Sequence, residues 1–255
     1  MWPCINNDLL YDGFEHMGGG SKAKAKKCFE KVLSVFPNHI DALCAMSSLE
    51  KDRLKSLAYL NKALNIGKKA IPEGFDMKKD RIEWIFLENR AFLRAYHTYG
   101  LFLLNENQTE KAVKVFEQML IWNPNDNQGV RDILADIYIQ LEDWRKMLWL
   151  GNKYKGDSSP SISYAWALIL FMTKRREEAD KALFEAIKFL PLCAKELIKK
   201  THKKPKTDMP GHIAFGGEDQ AYEFWETQGQ FKAWQDEEVQ KWIGNMVEKV
   251  HEKKI

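Results

Sequence analysis

The chain has 255 residues, 45% of them hydrophobic, enough to bury a sizeable core, and this excludes a disordered polypeptide. Lys and Arg number 39 against 36 for Asp and Glu, and a net charge of +3 excludes a whole-surface attraction to nucleic acid or anionic membrane. Any basic function must be local. Cys4, Cys28, Cys44 and Cys193 are scattered without the paired spacing of zinc ribbons or redox motifs, so reduced thiols and a cytoplasmic location are expected. Met1 to Asp8 has no basic stretch leading into an apolar one, and no later run reaches roughly eighteen uncharged apolar residues. Neither a signal peptide nor a membrane span is expected.

Along the chain, helical periodicity falls into units that end on proline. Before Pro37 stand Leu9, Asp12, Gly13, His16, Ala25, Phe29 and Val32. Ile40 to Ile66 supplies a second unit with Leu43, Met46, Leu60 and Ala63 on its apolar stripes. Gly67 to Asn89 is surplus to the period, and an insertion with its own short helix near Trp84 is predicted. Tyr96, Tyr99, Gly100, Leu103, Ala112, Phe116 and Met119 then stand before Pro124 at the offsets found before Pro37. Asn127 to Tyr154 makes a degenerate unit, with Val130, Ile133, Leu134 and Ile137 on one helix and Trp144, Met147 and Leu148 on the next. Ser163, Trp166, Ala167, Leu170, Ala179, Leu183 and Ala186 repeat the frame before Pro191. Small residues such as Gly100 and Ala112 suit close helix approach, and Tyr96, Tyr99 and Phe116 fill the gaps between hairpins.

After Pro191 come six lysines, Lys195, Lys199, Lys200, Lys203, Lys204 and Lys206. With no interleaved aromatics this run reads as a solvated linker. Pro210, Gly211, Gly216 and Gly217 mark a boundary. Tyr222 and Trp225, then Val239, Trp242, Ile243, Met246 and Val250, follow at helical spacing. Trp225 and Trp242 are expected to bury against the Tyr164 to Leu190 hairpin as a cap.

The small and aromatic residues in these three matched frames resemble the tetratricopeptide repeat, a helical hairpin of about 34 residues. Trp84 to Ala95, Asn123 to Arg131 and Phe215 to Ala221 further resemble a set of uncharacterised bacterial repeat proteins related to the suppression-of-tumorigenicity-seven family, departing at Asn89 and Ala91. The resemblance implies an all-α fold: a right-handed superhelix of about five hairpins with a C-terminal helical cap. It divides the chain into a repeat array over 1–200, with the insertion near 67–89, and a basic linker with capping helices over 201–255.

Gly18-Gly19-Gly20-Ser21-Lys22 lacks the spacing and the preceding strand of a phosphate loop. The histidines lack zincin spacing, and no nucleophile sits on an elbow motif. Cys193, His202 and His212 are the one set that could meet around a metal, and no metal, cofactor or enzymatic activity is expected. Asn125 to Gln128 read as helix-capping residues. The resemblance implies a scaffold or adaptor whose concave groove binds a peptide or partner helix, with Arg94, His97, Gln128 and Arg131 facing it. Two arginines there suit an acidic peptide, unless they pair internally with Glu88 or Asp132. A monomer is expected, with no membrane or nucleic-acid partner. The alternatives are a hydrolase or transferase site between residues 84–94 and 123–131, and RNA binding through the 195–206 lysines.

Overall fold

The structure is a computed structural model that describes residues 7–206 and 214–252. Among them it is all-helical, with fourteen α-helices, one π-helical turn and no strand. No described helix is long and apolar enough to cross a membrane. The chain divides into two units, Met1–Val130 and Arg131–Ile255.

In the first unit α1 (Asn7–Gly18) pairs with α2 (Lys22–Val35), α3 (Ile40–Leu49) with α4 (Arg53–Lys69), and α5 (Leu87–Asn105) with α6 (Thr109–Trp122). The α1–α2 and α5–α6 turns are built alike. Gly20 and Asn107 adopt φ of +75° and +56°, and the next amide, Ser21 or Gln108, reaches back five residues to the carbonyl of His16 or Leu103 at 2.8 Å. Both second helices stop at the residue before proline. Phe36 (φ −126°, ψ 77°) and Asn123 (φ −128°, ψ 78°) take nearly one conformation, because the ring of Pro37 or Pro124 disfavours a helical predecessor. The α3–α4 hairpin closes differently, with Asp52 accepting from the Lys55 amide at 3.0 Å and the buried hydroxyls of Ser47 and Ser56 meeting at 2.8 Å.

The small residues do stand at close helix approach, but Phe116, expected between hairpins, packs inside its own. A β-carbon on Gly100 would lie 2.3 Å from the Phe116 ring, and one on Gly13 would lie 2.6 Å from Phe29. Only a hydrogen fits. The predicted short helix near Trp84 is absent: residues 70–86 run as turns. Pro72 and Gly74, the latter at φ +86°, break the helix, and the backbone finds tertiary partners instead. The Ile82 amide donates to the Trp122 carbonyl at 2.9 Å, and the Met77 carbonyl accepts from the Trp122 indole at 3.0 Å.

In the second unit α7 (Val130–Gln140) and α8 (Trp144–Lys153) form the degenerate hairpin, followed by α9 (Pro160–Met172) and α10 (Arg176–Phe189). Glu142 at φ +53° and Lys174 at φ +62° repeat the same turn, with the Asp143 and Arg175 amides returning to Tyr138 and Leu170 at 2.9 Å. Leu190, before Pro191, repeats the stop at φ −127°. Helix α9 is apolar on nearly every side, as a buried helix must be.

The chain continues through α11 (Pro191–Leu197), α12 (Glu218–Phe224), the π-turn Trp225–Gly229, α13 (Lys232–Gln235) and α14 (Glu237–Glu252). These helices do cover the α9–α10 hairpin, though partly with other residues than expected. Trp242 donates to Asp180 at 2.7 Å and lies 4.4 Å from the Phe171 ring. Trp225, the first residue of the π-turn, instead stacks on His202 at 3.7 Å. Phe224 meets Tyr164 at 5.4 Å, and Trp234 is fully buried. The lysine run is not a free linker, since buried Glu196 accepts from His202 at 2.9 Å and also holds Lys199. Cys4, Pro210, Gly211 and His212 lie outside the described residues.

Buried Gln228 holds the π-turn to α7. Its amide donates to Asp136 at 2.9 Å, and its carbonyl accepts from the Trp234 indole at 3.0 Å. Burial pushes the Asp136 carboxyl up to about 7; the charges of Asp132 and Glu223 add to the rise, and hydrogen bonds from Gln228 and Ser161 oppose it.

Two predictions follow from this packing. Gly100→Ala gains roughly 1 kcal/mol of helix propensity but overpacks against Phe116 at a cost of about 1–3 kcal/mol, so net destabilisation is expected in urea unfolding. Gly244→Ala, with open space around it, should stabilise the chain. Because the folded state binds the Asp136 proton more tightly than the unfolded chain, stability should fall as pH rises from the ordinary carboxylate range through about 7. Melting temperatures across that range check this, and Asp136→Asn should flatten the profile.

Candidate functional site

Four residues stood out in the sequence as groove contacts, three of them in the first unit. Arg94 on α5 grips Asp41, in the first turn of α3, through two bonds of 2.7 Å. Its guanidinium also lies 5.7 Å from the Trp84 ring, which Arg90 approaches at 5.4 Å. An apolar trough of about 610 Å³ opens beside the pair, walled by Ile71, Phe75, Leu87 and Phe92. His97 keeps a buried Nε2 with no partner among the described residues; burial lowers its pKa against the opposing charge of Asp126. Gln128 makes one long bond, 3.5 Å, to the Leu93 carbonyl and leaves a buried Oε1 unpartnered. Asp126 performs the capping read for this corner, accepting from the Val130 amide at 2.8 Å.

The corner at 123–130 and the insertion do meet, where the Trp84 amide donates to Asn123 at 3.4 Å. What assembles there is backbone and amide bonding, with Trp122 fully buried beneath it. Burial drives the Cys44 and Cys193 thiols to about 12, a range in which neither is an active nucleophile at neutral pH. Among the described residues no three His, Cys, Asp or Glu side chains gather as a metal site.

Arg131, in the second unit, binds Asp157 at 2.7 Å and lies 5.6 Å from the Tyr154 ring. Asp132, the partner expected within its own helix, takes the Ser159 hydroxyl at 2.5 Å. Both arginines form internal pairs, with Asp41 and Asp157, partners too distant in sequence for helical spacing to reveal.

Asp157 also lines a second trough, of about 570 Å³, between α8, α9 and α10. Trp166, Leu170, Ala182 and Ala186 form its apolar wall, with Lys155 and Lys181 among its polar residues. Asp157 and Glu178, which would otherwise make it acidic, are engaged by Arg131 and Arg175. Lys155 and Lys181 carry no ion pair among the described residues, and Glu185 is the one other carboxylate in the lining. At its end Phe189, 55% exposed, meets Phe215, 62% exposed, edge to face at 5.5 Å. Exposed aromatics in contact mark a binding surface more than scattered ones do. Neither was singled out in sequence, since nothing in the pattern brings residues 189 and 215 together.

A family model described as transcriptional repressor TCF25 matches residues 26–254. The chain belongs to the Tcf25 family. No curated protein and no solved structure matches it. The match overturns the expected place among tetratricopeptide repeat proteins and relatives of the suppression-of-tumorigenicity-seven family. Small residues facing aromatics at helical spacing are a general solution to hairpin packing, and so they do not identify a family. The Tcf25 description is that of a regulatory protein rather than an enzyme, and it removes the ground for setting nucleic acid aside as a partner.

The arginine pairs differ in environment. The Arg131 side chain is 20% exposed and Arg94 43%, so Arg131→Ala should cost about 1.5–3 kcal/mol and Arg94→Ala under about 1 kcal/mol. Urea unfolding of the two variants checks the order.

Proposed function

We propose that this Tcf25-family chain acts in transcriptional repression as a non-catalytic scaffold, holding an acidic, apolar-rich peptide segment of a partner protein. The observation that carries the proposal is the trough of the second unit. Its apolar wall ends in the exposed Phe189–Phe215 pair, its own carboxylates Asp157 and Glu178 are occupied, and Lys155 and Lys181 remain for the partner's carboxylates. Apolar anchors supply affinity, while lysines at the rim select sign and speed encounter. Segments alternating acidic and apolar residues occur in disordered activation regions, a fitting target for a repressor.

Arg131 belongs to this reading, and Arg94, His97 and Gln128 are proposed as partner contacts of the first unit, taken by itself. Arg131 keeps Asp157 from repelling an acidic ligand. Arg94 would exchange Asp41 for a partner carboxylate, and the bare acceptor of Gln128 and the buried nitrogen of His97 would gain hydrogen bonds. The right-handed superhelical course expected of stacked hairpins is part of the proposal, as is a monomer working in the nucleus or the cytoplasm. Small-angle scattering of the whole chain tests the course.

The binding test uses fluorescence anisotropy with a labelled peptide alternating Glu or Asp with Leu or Phe. The intact chain should bind it and ignore the same peptide with lysine in place of the acids. Phe189→Asp and Lys181→Glu, both at surface positions, should each weaken binding about tenfold or more. Unchanged affinity in folded variants would remove the trough from the reading.

A further inference from the structure

A second surface of the same unit has a different chemistry, and it stands or falls independently of the peptide trough. Beyond α11 the chain turns back on the π-turn, and the two enclose an open concavity of about 670 Å³. Lys199, Lys200, His202, Trp225 and three glutamines line it, with Ile198 and without any carboxylate. We propose that this concavity binds single-stranded nucleic acid, with an unpaired base on the His202–Trp225 rings and the backbone phosphates on the lysines of residues 199–206.

The rings are already stacked on each other, so a base would extend the stack from an outer face of the pair. His202 and Trp225 lie face to face, 3.7 Å between centroids and 9° from parallel, and the imidazole is fixed by its bond to Glu196 at 2.9 Å. Ordered aromatic planes at the edge of a basic groove are the common platform for unpaired bases. The linear sequence hides this arrangement. The aromatic that the lysine run lacks within itself arrives from residue 225.

The glutamines suit bases, whose edges offer both donors and acceptors. In each, the amide nitrogen is held by backbone: Gln230 by the Glu226 carbonyl at 2.8 Å, Gln235 by Gly229 at 2.8 Å, and Gln240 by Leu197 and Trp234 at 3.1 and 2.7 Å. Three carbonyl oxygens are left as acceptors in the lining. They can accept from the exocyclic amino groups of adenine, cytosine or guanine, edges that a duplex leaves mostly engaged, while Gln230 and Gln235 each keep one N–H to donate.

The lining itself carries lysines and no carboxylate. Buried Glu196 is satisfied by Lys199 and His202, while burial and the charges of Glu226 and Asp219 push the Glu223 carboxyl up against the opposing charge of Lys204. Lys200, Lys203 and Lys206 are exposed and unpaired among the described residues. A few such cations hold phosphates at moderate salt, each neutralised phosphate adding roughly −0.7 to the slope of log affinity against log salt.

Anisotropy of the full chain with labelled single-stranded RNA and DNA of mixed sequence, the matched duplexes, and polyglutamate tests the proposal. Binding of either single strand is expected, weaker by about tenfold or more for the duplex, and the tighter of RNA and DNA names the source. Lys200→Glu with Lys203→Glu, both exposed, should weaken binding at least about tenfold and flatten the salt slope. Ultraviolet crosslinks should map to Trp225 or its neighbours. Absence of single-strand binding at low salt, equal competition by polyglutamate, an unmoved affinity in the folded double variant, or crosslinks confined to other segments would each overturn it.

Discussion

A proline ring disfavours the helical conformation in the residue before it, and Phe36, Asn123 and Leu190 answer with dihedrals that agree within a few degrees in φ. Each ends a second helix at an equivalent place, and each amide still closes the helix by bonding four residues back. The turns between helices are equally repetitive, with Gly20, Asn107, Glu142 and Lys174 all at positive φ. Glutamate and lysine are uncommon there. Their presence indicates that hairpin packing, through contacts such as Gly100 on Phe116, enforces the turn rather than the turn residue dictating the packing.

This explains what could be read from the sequence. Proline spacing and the small–large pairs depend on local geometry with a fixed period, so the hairpins could be located, including the degenerate Asn127–Tyr154 unit and the Ile40–Ile66 unit with its different turn. The insertion could not be read in the same way. Its apolar residues around Trp84 suggest a helix, yet its backbone is satisfied by Trp122, about forty residues away along the chain. The arginine partners were hidden for the same reason: Asp41 and Asp157 lie 53 and 26 residues from their arginines. Family membership was obscured from the other direction, because the physics that made the hairpins legible is shared by unrelated helical proteins.

Charge divides along a similar line. The arginines that looked available are tied into internal pairs, where a planar, permanently charged fork suits a partly buried carboxylate. The lysines remain outside, at Lys155 and Lys181 beside one trough and at Lys200, Lys203 and Lys206 beside the other concavity. In the second unit Arg131 and Arg175 neutralise Asp157 and Glu178, so the acids of the trough lining are partly offset from within.

Both surfaces of the second unit trace back to the same proline constraint. Stopping α10 at Leu190 leaves Phe189 at the edge of the α8–α10 trough, while Pro191 starts α11 in a new direction. That direction buries Glu196, and Glu196 holds His202 against Trp225. The Trp225 ring is in turn fixed by the π-turn, whose last residues, Gln228 and Gly229, are buried. Gln228 spans Asp136 and Trp234, so the aromatic platform depends on a polar lock set into an apolar interior. A π-turn widens the helix by one residue, and here the extra residue allows Trp225 to face the lysines while Gln228 faces α7. In a regular α-helix those two side chains, three apart in sequence, would share a face.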